Sequence, residues 1–451
     1  MSDQETCIVI HPALRGDPGS RAPEARLEEA AGLAAAINLD VIATSVIPVA
    51  QPRPSTFIGG GKVDDINKQL DSYEHRPGLI IVDGALSPVQ HRNLETAWNA
   101  KVLDRTALIL EIFGERAQTA EGRLQVELAH LDYQRSRLVR SWTHLERQRG
   151  GAGFLGGPGE RQIESDRRQL ADKIIRLRKK LDDVRRTRTL QRAKRKRAPH
   201  PVVALVGYTN AGKSTLFNRL TQSAVMAEDL LFATLDPTMR AIDLPSGVRV
   251  ILSDTVGFIS ALPTQLVAAF RATLEEVLEA DIIIHVRDIA HEDSEAQRED
   301  VIDVLDDLGV HDTDERPVIE ALNKIDLMDD EDRSTVETVA RLTQTGEIGT
   351  INEPVRVALS AMSGEGVDHL LKIVEETLTV AHETVVFSIP ASDGAARAWL
   401  HQRAEVIEEA ADETALLLTV RLSVKAQGQF LKIFPAAREM TPCSETRKAA
   451  Q

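Results

Sequence analysis

The sequence predicts a multidomain α/β protein: a parallel α/β domain at the N-terminus, an antiparallel helical hairpin, a doubly wound α/β domain, and a small α+β domain near the C-terminus. Three observations lead there. Short apolar runs alternate with helical patterns over residues 1–105 and again over 201–380. Between them lies a purely helical stretch, interrupted at 150–159 by six glycines in ten residues. The 451 residues, 42% hydrophobic and 27% charged, suffice for about three domain-sized cores.

In the first domain, residues 7–10, 40–46 and 78–82 are the expected strands and 24–37, 62–70 and 88–99 the expected helices, the last opened by Pro88. Their alternation implies parallel pairing with right-handed crossovers. Gly59-Gly60-Gly61-Lys62 invites a phosphate-loop reading, but Val63 stands where Ser or Thr is needed. A tight turn before a helix is expected there, with an ATP site as the alternative. From residue 106 onward Leu124, Leu128, Leu131, Leu138, Trp142 and Leu145 form one heptad-like seam, and Leu170, Ile174, Leu177, Leu181 and Val184 another. Paired antiparallel, they make a hairpin over 106–198 with its tip at 150–159. Residues 384–435 suggest strand, helix, strand, either as a small domain or as a sheet edge docked on the preceding one. Residues 436–451 are expected to be a disordered tail.

A net charge of −15 argues, as an average, against nucleic acid. The average hides residues 135–197, where about 21 Lys and Arg face about 7 Asp and Glu. A basic module in an acidic chain marks a polyanion-binding surface. Gly151, Gly153, Gly156 and Gly157 permit close backbone approach to a sugar–phosphate surface. Arg147, Arg149, Arg161, Arg167 and Arg168 supply attraction, and Phe154 can stack on an unpaired base. Structured RNA fits better than duplex DNA, since the sequence shows no base-reading helix. The plainer alternative is a solvated coiled coil. Cys7 and Cys443, at opposite ends, make neither a disulfide framework nor a zinc cluster. Without an apolar run near the roughly 18 residues of a membrane span, or a signal-peptide core, a cytoplasmic monomer is the expectation.

The third domain carries the chemistry. Gly207-Tyr208-Thr209-Asn210-Ala211-Gly212-Lys213-Ser214 fits GxxxxGK[ST] between an apolar run and a helix start. Backbone N–H groups and the helix N-terminus would cradle phosphates, Lys213 would pair the β and γ oxygens, and Ser214 would ligate Mg²⁺. Asp254-Thr255-Val256-Gly257 ends the next run, placing a carboxylate in the outer shell of the metal and the Gly257 N–H near the γ-phosphate. Asn323-Lys324-Ile325-Asp326 follows with a carboxylate that can accept both the N1–H and the N2 amine of guanine, a pairing adenine cannot offer. Ser360-Ala361-Met362 would add backbone contacts to the guanine oxygen. Four motifs in this order make a GTP site, with Lys213, Thr234 and Gly257 as the expected catalytic groups. Phe232, Ala233, Thr234, Leu235 and Asp236 form the loop over the nucleotide. Thr234 is favoured over Thr238 as the second Mg²⁺ ligand, engaged when the γ-phosphate is present. Phe258 stands where many GTPases carry a water-orienting glutamine, so another group or a partner must position the water. Asn210 is either a K⁺ ligand or a hydrogen-bonding member of the loop.

These residues resemble the HflX-type ribosome-associated GTPases over most of the chain. The segments beginning at Pro54 (PSTFIGGGKV), Leu86 (LSPVQHRNLE) and Val102 (VLDRT) are similar to that family's N-terminal domain. Those beginning at Leu124 (LQVELA), His144 (HLERQRGG) and Gly156 (GGPGE) are similar to its hairpin and tip, while 232–238 (FATLDPT) and 254–258 (DTVGF) match its switches. The resemblance implies Mg²⁺-dependent GTP hydrolysis, binding to the large ribosomal subunit and its rRNA, and splitting or rescue of stalled ribosomes under stress. It also implies Mg²⁺ on Ser214 and Thr234 and K⁺ stimulation through Asn210. Arg161 departs from the family's usual threonine and adds charge. Two rival functions stay open: a GTP-switched regulator of a non-ribosomal protein, and an RNA assembly factor for which nucleotide is only a binding switch.

Overall fold

The computed structural model describes residues 5–15, 21–148, 158–195, 200–222, 232, 238–260, 276–310, 316–344, 349–411 and 415–440. The first domain is an all-parallel sheet of β1 (Thr6–Leu14), β2 (Asp40–Val49), β3 (Leu79–Val82) and β4 (Lys101–Asp104), in the order β2-β1-β3-β4. Strand alternation sorts its side chains. Ile8, Ile10, Ile80 and Val82 join the core that includes Val63, Ile66 and Leu70 of α2 (Gly60–Asp71) and Leu94 and Trp98 of α3 (Pro88–Trp98). Cys7, Val9, Leu79 and Ile81 face α1 (Pro23–Ala35) and α4 (Arg105–Arg116). Strand β1 runs past its expected end through Pro12. Its pairing with β3 stops at Ile10, so beyond that point only β2 lies alongside. The triglycine segment is a helix start: Gly59 is the N-cap of α2, and the half-exposed Lys62 pairs with Asp65 at 3.5 Å.

Helix α4 revises the expected hairpin start. Leu108, Ile109, Leu110, Ile112 and Phe113 are all buried, so the helix is apolar around most of its circumference and needs cover on two sides. One side lies on the first sheet. The other joins the same hydrophobic core as Tyr208, Phe232, Val256 and Phe258 of the third domain. Asp104 caps α4 by accepting the Ala107 N–H at 2.9 Å.

The hairpin itself is α5 (Ala120–Gln148) and α6 (Pro158–Arg195). Leu131, Ile174 and Leu177 are buried between them, flanked by Leu124, Leu128 and Leu170, and Lys173 meets Glu127 at 2.8 Å. At its base Tyr133 Oη donates to Asp104 at 2.8 Å and Arg137 to the same carboxylate at 2.6 Å. Arg147 and Arg161 fall within these helices and the exposed Arg167 and Arg168 on α6. Arg149, Gly151, Gly153, Phe154, Gly156 and Gly157 lie outside the described residues.

The third domain is a six-stranded sheet, order β10-β9-β8-β5-β7-β6, of β5 (Val202–Val206), β6 (Thr238–Asp243), β7 (Arg249–Asp254), β8 (Ile282–Asp288), β9 (Val318–Asn323) and β10 (Val355–Ala358). All neighbours are parallel except the edge strand β6, which sequence periodicity did not reveal. Thr238, the alternative switch hydroxyl, is the first residue of β6 and lies opposite Asp254. Helices α7 (Lys213–Thr221), α8 (Ser294–Asp307), α9 (Asp330–Leu342) and α10 (Val367–Ala381) accompany the sheet.

The C-terminal segment has an antiparallel sheet of its own, order β12-β13-β11-β14, from β11 (His382–Pro390), β12 (Glu405–Ala411), β13 (Ala415–Ser423) and β14 (Arg438–Met440). Helices α11 (Gly394–Arg403) and α12 (Val424–Ile433) complete it, with Phe387, Leu400, Leu418 and Phe430 in the core. This replaces the simpler strand, helix, strand expectation. It also corrects the tail: Arg438–Met440 pair with β11 instead of being disordered, because β11 otherwise presents an open edge. Residues 441–451 lie outside the described residues. Among the described residues no helix is long and apolar enough to cross a membrane.

Candidate active site

Strands β5, β7, β9 and β10 deliver their C-terminal ends to one edge of the sheet, where a doubly wound fold places its ligand. The loop after β5 requires its glycines. A Cβ on Gly207, at φ +148°, would sit 2.2 Å from Val286 O. One on Gly212, at φ +93°, would sit 2.2 Å from Asn323 Nδ2. Gly212 is the N-cap of α7, so the helix N-terminus opens onto the loop. Asn210 adopts φ 59°, a left-handed conformation that asparagine tolerates, and its side chain is exposed.

Lys213 is buried and donates from Nζ to Tyr208 O at 2.6 Å. Burial pushes its pKa down to about 8, with Asp254 acting in the opposite direction. A buried ammonium so poised fits an anionic ligand. Ser214 Oγ donates to Asp254 Oδ2 at 2.9 Å. This hydroxyl and carboxylate are hard oxygen donors of the kind Mg²⁺ takes together with phosphate oxygens. Thr255 Oγ1 donates to Leu205 O at 2.6 Å, and Thr209, buried in the phosphate loop, has an Oγ1 without a hydrogen-bond partner among the described residues. Gly257 packs on the loop so closely that a Cβ there would lie 2.9 Å from Thr209 Cα and 3.0 Å from Lys213 Nζ. The backbone of Phe258 is stapled to the loop on both sides: its N–H donates to Gly207 O at 3.1 Å and its carbonyl accepts from Thr209 at 2.8 Å. Its ring is buried.

On the other flank, Asn323 is 2% exposed and holds two loops together. Its Nδ2 donates to Ala211 O and its Oδ1 accepts from the Ala361 N–H, both at 2.8 Å. Lys324, at φ 70°, donates to Asp288 at 2.7 Å. Ile325 is buried under the short 3₁₀ turn Ile325–Leu327, which leaves Asp326 exposed. Ser360 is buried, its Oγ accepting from the Ser363 N–H at 3.0 Å, and Met362 is exposed. Ala233, Thr234, Leu235 and Asp236 lie outside the described residues, whereas Phe232 is buried edge-on against Phe113 with ring centroids 4.7 Å apart.

Two features escaped the sequence. Arg219 on α7 donates to Ala361 O at 2.6 Å and also to Met362 O, pinning the third loop to the phosphate-loop helix. The second feature is a charged ring between the first and third domains. Arg105 donates to Glu29 at 2.5 Å, to Asp83 at 2.6 Å, and to Ser260 O and Oγ at 3.1 and 2.9 Å. Burial opposes the Arg105 charge, but Asp83 and then Glu29 hold its pKa above the ordinary value. Tyr208 Oη donates to Glu29 at 2.9 Å and accepts the Ser260 N–H at 2.8 Å. Arg21 joins from the other side, bonded to Glu29 and Tyr208 at 2.8 Å and to Asp300 at 2.5 Å. Asp83 is in this ring, also bonded to His11 at 2.7 Å, while His285 is buried beside Glu320 in the third domain.

Fold and site together define a P-loop GTPase with added domains on both sides. Residues 202–324 match the family described as "50S ribosome-binding GTPase", 24–114 "GTP-binding GTPase N-terminal", 116–195 "GTP-binding GTPase Middle Region" and 350–432 "HflX C-terminal domain". The chain is 49% identical over 407 residues to GTPase HflX of Magnetococcus marinus, covering 89% of each chain. To GTPase HflX of Escherichia coli it is 41% identical over 388 residues, 85% of this chain and 87% of that one. The structure of SsGBP with GDP aligns over 83% of this chain and 98% of that one, at 24% identity and TM-score 0.49. The chain belongs to the HflX family of GTPases.

Proposed function

We propose that this GTPase works on the large ribosomal subunit, using its basic hairpin against rRNA and its nucleotide state to time binding and release. Lys213 holds the β and γ oxygens, the Gly257 N–H meets the γ-phosphate, and Asp326 reads guanine with Ser360-Ala361-Met362 behind the base. Ser214 and Thr234 would hold Mg²⁺, with Asp254 in its outer shell, and the bound ion supplies charge neutralisation on the phosphates. Asn210, left-handed and exposed in the loop, would offer an oxygen to K⁺. Water attacks the γ-phosphorus and the β–γ bridging oxygen leaves on GDP. On this reading the protein acts in the cytoplasm on stalled ribosomes under stress, by splitting or rescue.

One observation carries the reading: consecutive residues tie the hairpin and the nucleotide loop to the same point. Asp104 accepts from Tyr133 and Arg137 of the hairpin, and Arg105 donates to Ser260, three residues beyond Gly257. A load on the hairpin therefore has a short, packed route to the site. Phe258 lacks the hydrogen-bonding groups of glutamine, which makes completion of the site by the bound subunit chemically sensible. The test is GTP turnover with and without purified large subunits, with Lys213→Ala as the blank. Strong stimulation is expected. Basal turnover without stimulation would move the function to a GTP-switched regulator of another protein.

A further inference from the structure

Phe258 poses a specific problem. Its ring is buried and carries no hydrogen-bonding group, and its backbone N–H and carbonyl are already bonded to Gly207 and Thr209. The group that orients water must lie elsewhere around the phosphate loop. The hydroxyls of the four motifs narrow the choice. Ser214 Oγ donates to Asp254, Thr255 Oγ1 donates to Leu205 O, Ser360 Oγ accepts from the Ser363 N–H, and Tyr208 Oη is bonded to Glu29 and Ser260. Thr209 differs. The residue is 5% exposed, its N–H donates to Phe258 O at 2.8 Å, and its Oγ1 is buried without a hydrogen-bond partner among the described residues. A buried hydroxyl left unpaired is destabilising, so its presence in a tightly packed loop points to a ligand that satisfies it. Contact with Gly257 sets the place. A Cβ built on Gly257 would lie 2.9 Å from Thr209 Cγ2 and 3.0 Å from Lys213 Nζ. The Thr209 side chain and the Lys213 ammonium therefore flank one point beside Gly257, the residue whose N–H is assigned to the γ-phosphate.

We propose that Thr209 Oγ1 is a catalytic hydroxyl for GTP hydrolysis: it hydrogen-bonds the water that attacks the γ-phosphorus, the task for which Phe258 has no group. The proposal rests on the placement of the γ-phosphate beside Lys213 and Gly257. A threonine hydroxyl has one proton to donate and two lone pairs, so it can accept a hydrogen bond from water while donating to a γ-phosphate oxygen. It does not take the proton. The water oxygen forms the new bond to the γ-phosphorus, and the bond to the β–γ bridging oxygen breaks with its electron pair leaving on GDP. A water proton passes to an oxygen of the released phosphate. Thr209 contributes orientation of the nucleophile, and the same hydroxyl dipole acts more strongly where solvent is excluded. Branching at Cβ serves the same end, because a methyl packed against Gly257 restricts χ1 and with it the direction of the hydroxyl.

The experiment uses the full chain without ribosomes. It measures single-turnover GTP hydrolysis at saturating enzyme, and affinities for GDP, a non-hydrolysable GTP analogue and GDP–aluminium fluoride, in wild type, Thr209→Val, Thr209→Ser, Thr209→Ala and Lys213→Ala. Valine keeps the shape and the methyl contact and removes only the hydroxyl. The expected result for Thr209→Val is a hydrolysis rate lowered about tenfold, with GDP and GTP-analogue affinities within about threefold of wild type and the aluminium fluoride complex weakened in step with the rate. Thr209→Ser, which restores a hydroxyl without the methyl, should recover at least about a third of the wild-type rate. Urea unfolding checks the fold: the hydroxyl had no partner, so nucleotide-free Thr209→Val should be no less stable than wild type. A wild-type rate in Thr209→Val overturns the proposal, and so does an equal loss in Thr209→Val and Thr209→Ser, which would make the effect one of packing. A weakened GTP-analogue affinity with an unchanged saturated rate would make the hydroxyl a binding group alone, and also overturns it. If Thr209→Val fails to fold, Thr209→Ser against Thr209→Ala carries the test, since the two differ only in the hydroxyl, and equal rates there overturn the proposal. If Lys213→Ala binds and hydrolyses GTP as wild type does, the placement of the phosphates falls and the proposal with it. If Lys213→Ala is inactive and Thr209→Val is normal, only the proposal falls.

Discussion

Asn323 is the cross-brace of the nucleotide site, and its removal should be felt before any nucleotide arrives. The side chain is 2% exposed and spends its donor on Ala211 O and its acceptor on the Ala361 N–H, both at 2.8 Å. Asn323→Ala leaves a buried carbonyl in the phosphate loop and a buried N–H in the guanine loop. Leaving a buried group unsatisfied costs about 1–3 kcal/mol, so the free protein should lose roughly 2–6 kcal/mol of local stability. Part of that returns as weaker nucleotide binding, because GDP must then order two loops the protein no longer holds. A share of about 2 kcal/mol corresponds to roughly a thirtyfold weaker Kd. Asn323→Asp is the sharper companion. It keeps an acceptor for Ala361 but sets a second oxygen against Ala211 O, so it should bind no better than the alanine variant. GDP titration by fluorescence, with urea unfolding of the nucleotide-free protein, measures both terms. A GDP affinity within threefold of wild type for Asn323→Ala would refute the bracing argument.

Two further predictions concern pH. Burial holds the Lys213 pKa at about 8 in the free protein, and bound phosphates must raise it, so nucleotide binding takes up a proton above that pH. Affinity is then fully present below pH 8 and lost as pH rises through it, by about fourfold between pH 7 and 8.5; titration calorimetry in buffers of different ionisation heat reads the proton directly, and a flat profile contradicts the shift. His285 is pushed down to about 4 by burial, with nearby arginines acting in the same direction and Glu320 against it. Its neutral form therefore stabilises the fold fully above pH 6.5, and that contribution, roughly 3 kcal/mol, drains away as pH falls from 6.5 towards 4. His285→Gln should flatten this part of the stability profile in urea unfolding, and an unchanged slope would assign the acid sensitivity to other groups.

Much of the nucleotide site was legible because its grammar is local. Each motif sits directly after an apolar run, and the residue types are dictated over a few positions: glycine where a Cβ would strike Val286 O, lysine and serine at a helix start, asparagine and aspartate at a strand end. The parallel sheet of the first domain was legible for the same reason. Errors fell where local pattern is ambiguous. Helix α4 and the hairpin helices share a spacing of three and four, so residues 106–116 looked like the start of the hairpin. Only the burial of Leu108, Ile109, Leu110, Ile112 and Phe113 assigns them to the first domain. The strands β6 and β14 are edge strands, made by a neighbour's open hydrogen-bonding edge more than by their own apolar content.

The sequence by itself determined the chemistry that spacing encodes: guanine nucleotide, a phosphate-cradling loop, and a basic module set in an acidic chain. Tertiary structure alone decided how these parts are joined. Glu29, Arg105, Tyr208 and Ser260 are separated by up to 231 positions, and none carries a local signal for the others. They meet because an all-round apolar helix needed cover on two sides, and burying it brought the charges at its N-terminus against the segment that follows Gly257. Charged groups buried in that way need partners, and only the packed fold determines which partners are within reach.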